Sequence, residues 1–98
     1  MRSRYSAYAL NLAGYIMQTT HPDGTQYNPN QAAWKRDIET FCKNTRFAGL
    51  QILAAQGDMV TFRATLFANQ RDVSFTEVSL FRQHNGQWKY FSGTQLEH

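Results

Sequence analysis

Three short turn signals constrain this chain more than any other feature. Gln56-Gly57-Asp58, Asn69-Gln70-Arg71 and Asn85-Gly86 interrupt a stretch from Arg46 to Thr94 that is dense in aromatic and β-branched residues. Asn85-Gly86 is the strongest signal, because a tight primed turn needs positive φ at both central positions and Asn and Gly tolerate it best. Connections this short cannot cross over a sheet, so strands adjacent in sequence must pair antiparallel. The spacing predicts four strands, at about 47–55, 59–69, 72–84 and 87–93, joined as a meander.

Ahead of the strands the period changes. Tyr5, Tyr8, Ala9, Leu12, Ala13, Tyr15 and Ile16 recur at helical steps, which predicts one helix from Ser3 to about Thr19 with Ser3 as its N-cap. Pro22 and Asp23-Gly24 end it. A second helix follows in NPNQAAWKRDIETFCKN, with Asn28 as N-cap, Pro29 at the first helical position, and Ala33, Trp34, Ile38, Phe41 and Cys42 on one stripe. Two helices followed by a meander define an α+β plan in which the helices cover one face of a four-stranded antiparallel sheet.

Strand alternation assigns the faces. Val60, Phe62, Ala64, Leu66 and Ala68 point one way, and Thr61, Arg63, Thr65 and Phe67 the other. Further on, Val73, Phe75, Glu77, Ser79 and Phe81 share a side, which sets a carboxylate and a hydroxyl among aromatic rings.

Composition narrows the classes. With 42% hydrophobic and 17% charged residues the chain is too apolar for a disordered tail, and its 98 residues suit one core. No apolar run approaches the ~20 residues that cross a bilayer, and Arg2, Arg4, Asn11, Gln18 and His21 break any signal-peptide core, so a cytoplasmic protein of bacterial style is expected. The net charge of +3 comes from ten basic residues scattered over every element, a pattern that argues against a nucleic-acid partner. Cys42 is the only cysteine and reads as a small buried side chain. Leu96, Glu97 and His98 read as the remnant of an expression tag, which leaves 1–95 as a single domain.

Taken in order, Met1 to Tyr8, Thr20 to Pro22, Trp34, Val60 to Ala64, Glu77 to Phe81 and Gly86 to Tyr90 resemble the YchJ-like middle domain over nearly the whole chain. The resemblance implies a nuclear-transport-factor-2-like cone of the ketosteroid isomerase-like or SnoaL-like kind, with helices closing over a curved sheet. It also implies flanking SEC-C motifs, cysteine-rich zinc-binding segments that a chain with one cysteine does not carry, and residues ahead of MRSRY, so that Met1 reads as an internal methionine.

Folds of this kind form a pocket between helices and sheet, and Glu77 is the sharpest candidate within it. As a chemical group it is a general base or ligand anchor, as carboxylates are in isomerases of the resembled superfamily. As a structural group, the preferred reading, it forms a polar lock with Arg4 and Ser79, because a buried charge needs a partner. Tyr5, Tyr8, Tyr15, Trp34, Trp88 and Tyr90 are the aromatic supply, and core packing accounts for most of them; a pocket rim would use Tyr8, Trp34 and Trp88 beside Glu77 to stack a flat ligand. His21 and His84 fall in and beside turns, where histidines are commonly solvated. No phosphate loop, nucleophile–base pair or histidine–carboxylate metal set is present in the sequence, so neither metal nor cofactor is expected. The resulting expectation is a non-catalytic module that binds a small molecule or a protein, the alternative being an isomerase- or cyclase-type enzyme using Glu77. A homodimer through Phe67 and Leu80 on the outer sheet face is a further expectation.

Overall fold

The computed structural model describes residues 1–96; Glu97 and His98 of the expected tag remnant lie outside the described residues. The helices are α1 (Arg2–Ala9), α2 (Ala13–Gln18) and α3 (Gln31–Lys43), and the strands β1 (Thr45–Gln56), β2 (Met59–Ala68), β3 (Arg71–Asp72), β4 (Phe75–His84) and β5 (Gln87–Leu96). The sheet runs β1-β2-β4-β5 with every pair antiparallel, and the two-residue β3 pairs with the end of β2. Leu96, read from sequence as part of the tag remnant, ends β5 and pairs with Thr76 of β4.

The meander follows from its turns. Gln56 pairs with Met59 around Gly57-Asp58, and His84 with Gln87 around Asn85-Gly86, where φ is 52° and 80° as a primed turn requires. Asn69 and Gln70 are both left-handed, and β3 then delays the next long strand to Phe75 instead of 72. Register shifts in β1–β2 and between Leu80 and Phe81 mark bulges, which bend a sheet that must close round the helices.

The predicted first helix is two. Asn11 adopts φ 57°, the Leu12 amide donates to the Ala7 carbonyl at 2.8 Å, and the Asn11 amide donates to Tyr8 at 3.2 Å. That is a Schellman ending, in which Asn substitutes for the usual glycine. The apolar spacing continued across it because α2 returns to the same buried layer. Helix α1 also begins at Arg2, so Ser3 is not its cap; on α3 the cap is Asn30, whose side chain accepts from the Ala33 amide at 3.1 Å. Asn28 instead closes the turn before it, accepting from the Asn30 amide.

Two cores result. Ala7, Ala13, Ile16, Trp34, Ile38 and Cys42 pack among the helices, whereas Phe62, Ala64 and Leu66 of β2 form the floor over which Tyr5, Phe47 and Phe75 lie. The loop after α2 runs along β5: the His21 amide donates to the Tyr90 carbonyl and the Tyr90 amide to the Thr19 carbonyl, both at 2.8 Å. This satisfies backbone groups that an uncovered edge strand would leave open. His21 is therefore buried, not solvated, with its Nδ1 accepting from the Asp23 amide and its ring edge-on to His84 and Phe91. On the outer face Phe67 and Leu80 are half-buried, and the Arg46 guanidinium lies 4.9 Å over the Phe67 ring.

Candidate functional site

Between α1, the end of α3 and the sheet lies a cavity of about 270 Å³. Its floor is Phe62, Ala64 and Leu66, all inward on β2 by strand alternation, continued by Phe75 on β4. Tyr5 and Tyr8 from α1 and Phe41 from α3 close it from above, and Phe47 on β1 lies between. Tyr8 stacks against Phe47 at 21° and meets Phe41 edge-on, which fixes the rings as a wall.

The polar end is built around Glu77. Its Oε2 accepts hydrogen bonds from Ser79 Oγ at 2.6 Å and from the Tyr90 hydroxyl at 3.2 Å. Ser79 is fully buried two residues along the same face of β4, and Tyr90 reaches across from β5. Gly93 lies opposite Ser79 in this register, and the reason is spatial: a Cβ there would stand 2.5 Å from the Glu77 Cδ and Oε2 and would press on the Tyr90 hydroxyl.

Arg4 takes another role from the one expected. It is buried, and its Nη1 donates to Thr19 Oγ1 at 2.7 Å and to the Ile16 carbonyl and Thr20 Oγ1 at 3.3 Å, while Nη2 donates to Gln26 Oε1 at 3.4 Å. Its guanidinium lies 4.7 Å over the Tyr90 ring. Among the described residues no hydrogen bond or ion pair joins Arg4 to Glu77. The expected lock of Arg4, Glu77 and Ser79 is thus Ser79–Glu77–Tyr90, with Arg4 against the face of Tyr90. The reason is reach: acceptors on the end of α2 and its loop lie nearer to Arg4, and they hold its donors in place.

Of the expected pocket residues, Tyr8 and Glu77 meet at this cavity, whereas Trp34 and Trp88 do not. Trp34 turns into the helical core and meets Tyr27 edge-on. Trp88 alternates onto the inward side but sits beyond the helical cover, 57% exposed, beside a separate depression reaching Tyr15, Thr19 and Asp58. The residues missed by sequence reasoning were Tyr5, Phe41, Phe47 and Tyr90. Tyr90 carried a signal, lying two residues after Trp88 on the same side of a strand. Tyr5 did not: its hydroxyl is buried without a hydrogen-bond partner, which no pattern announces.

Burial raises the Tyr90 and Tyr8 hydroxyls above the ordinary phenol range; the Glu77 charge adds to the shift at Tyr90, and Arg4 opposes it at both. The folded state therefore holds these protons more tightly than the unfolded chain does. The associated stabilisation is complete below the ordinary phenol value of about 10 and is lost as pH rises past it. An ultraviolet titration of native protein is expected to show both phenols ionising late, together with unfolding, and Tyr90→Phe to remove part of that late step. Ionisation of all five tyrosines in one step near pH 10 would contradict it.

The architecture and site define a class: a small α+β cone with a ring-walled cavity over a curved antiparallel sheet. The family model described as the YchJ middle NTF2-like domain matches residues 1–93, and the chain belongs to that family. It is 32% identical to a UPF0225 protein of Pectobacterium carotovorum subsp. carotovorum (strain PC1) over 99% of this chain, and 33% identical to a UPF0225 protein of Deinococcus radiodurans over 97%. The chain spans 65% and 66% of those curated relatives. The solution structure of a SEC-C motif containing protein from Rhodopseudomonas palustris is similar with a TM-score of 0.77 at 28% identity, covering 99% of this chain and 76% of that one.

Proposed function

We propose that this domain is a non-catalytic binding module that holds a small, flat organic molecule between helices and sheet. The observation that carries the reading is a cavity with aromatic walls and one hydroxyl-supported carboxylate, Glu77, at its polar end. Its volume lies near the lower edge of the roughly 300–1,000 Å³ usual for ligand sites, which suits a molecule of one ring. A cytoplasmic setting fits a chain whose single cysteine, Cys42, is free and buried. The likeness to a SEC-C motif containing protein supports a domain that works beside such a segment in longer relatives.

Titrating ring-bearing fragments into isotopically labelled protein tests this reading. Shifts are expected to concentrate on Tyr8, Phe47, Phe75 and Tyr90, and to weaken in Gly93→Ala, whose methyl would crowd the Glu77 carboxylate. If no fragment at roughly millimolar concentration moves a cavity signal, the binding reading fails.

One observation favours a second reading, an isomerase- or cyclase-type enzyme. No ion pair to Arg4 is found among the described residues, which leaves Glu77 at the cavity as an available proton acceptor. Turnover of a bound fragment that disappears in Glu77→Gln, with binding retained, would select it.

A further inference from the structure

We propose that the cavity selects planar aromatic ligands carrying an amidine- or amine-type N–H donor, which seats on Glu77 Oε1. This rests on the binding reading above and narrows it to a chemical class. The argument comes from hydrogen-bonding capacity. A carboxylate offers acceptor sites on both oxygens. Oε2 takes the hydroxyls of Ser79 and Tyr90, at 2.6 and 3.2 Å, whereas no donor among the described residues reaches Oε1.

The other charged group on the wall is Arg4, whose Nη1 donates to the Ile16 carbonyl and to the Thr19 and Thr20 hydroxyls and whose Nη2 donates to Gln26, so an anionic ligand that drew on those two nitrogens would compete with contacts made within the protein. The Arg4 and Glu77 charges cancel in sum, which leaves the choice of ligand to directional hydrogen bonding instead of the net field. What remains unmet on the Glu77 carboxylate is an acceptor, and its complement is a donor; the Tyr5 hydroxyl, buried without a partner on the same cavity, can donate or accept and so does not oppose that choice.

The walls agree with this choice. Tyr8 and Phe47 stand nearly parallel at 6.3 Å, and Phe62 and Phe75 meet edge-on at 5.9 Å. Ring faces of this kind accept a flat aromatic body and attract an N–H-bearing cation next to it. A ligand of this class satisfies the carboxylate while its ring displaces water from apolar surface.

Four probes of one shape test the proposal on the whole chain: benzamidine, benzamide, benzoate and toluene, followed by the Glu77 carboxyl carbon and the Tyr8 and Phe47 ring signals. Benzamidine is expected to bind at least about tenfold tighter than benzoate or toluene, with benzamide between them. Glu77→Gln is expected to level the series. The ranking in unmodified protein decides the matter even if that variant folds poorly. Equal affinities, or benzoate the tightest, would overturn the donor preference while leaving the cavity a binding site. No cavity shift from any of the four at roughly 10 mM would overturn both readings.

Discussion

Arg4→Met is expected to lower the unfolding free energy by about 2–4 kcal/mol, read by urea denaturation at neutral pH. The guanidinium ties α1 to the end of α2 and the loop beyond it through Ile16, Thr19, Thr20 and Gln26, and it lies over the Tyr90 ring. Hydrogen bonds to a charged group are worth about 1.5–3 kcal/mol each, which alone would suggest a larger loss. Two effects reduce it. Thr19 and Thr20 keep the bonds they donate, to the Tyr15 and Ile16 carbonyls, so few groups are orphaned. Burial also pulls the Arg4 guanidinium below its ordinary value, so removing the charge relieves a desolvation cost. Arg4→Lys is expected to recover less than half of the loss, because one ammonium cannot serve acceptors arranged for a planar fork. A loss under about 1 kcal/mol for Arg4→Met would mean that apolar packing, not this fan of bonds, docks the first helix.

Gly24→Ala is the second large effect, expected at about 2–3 kcal/mol. Space is the reason, since Gly24 does not lie in the left-handed region. An added Cβ would stand 2.6 Å from the Phe91 carbonyl oxygen and 3.2 Å from the Phe91 Cα, both backbone atoms that cannot rotate aside. Relief requires the loop to lift off β5, which breaks the bond from the Thr25 amide to the Phe91 carbonyl at 2.9 Å and loosens the His21 packing against Phe91. Gly14→Ala is the control: nothing lies within 4 Å of its added Cβ inside α2, so gain of helix propensity is the expected outcome. If the two variants melt alike, the close approach at Gly24 is not structural.

Much of the sheet was legible. Asn85-Gly86 and Gly57-Asp58 are local signals, read correctly because a turn's φ values belong to the residues in it. The floor of the cavity was legible for a related reason: alternation on β2 forces Phe62, Ala64 and Leu66 to one side whatever packs there. The break at Asn11 was not. A left-handed residue interrupts a helix without interrupting its apolar spacing, and periodicity reads only the spacing. The site divides the same way. Glu77 stood out as a carboxylate between aromatic rings, but the choice of Ser79 and Tyr90 as its partners depends on which residue of β5 lies across from it. Trp34 and Phe41 share a stripe on α3, and spacing alone does not say which of them reaches the pocket; Trp34 packs in the helical core with Ala13 and Ile16 of α2, and Phe41 lies over the cavity.

By itself the sequence determined the family, the order of helices before meander, the tight hairpins and the inward face that carries Glu77, because each depends on residues close together in the chain. The tertiary structure alone decided that Arg4 serves the end of α2 and not Glu77, that Trp88 falls beyond the helical cover, and that Gly93 leaves room for the carboxylate. Those outcomes turn on distances between elements far apart in sequence, and such distances are set only when the helices settle on the curved sheet.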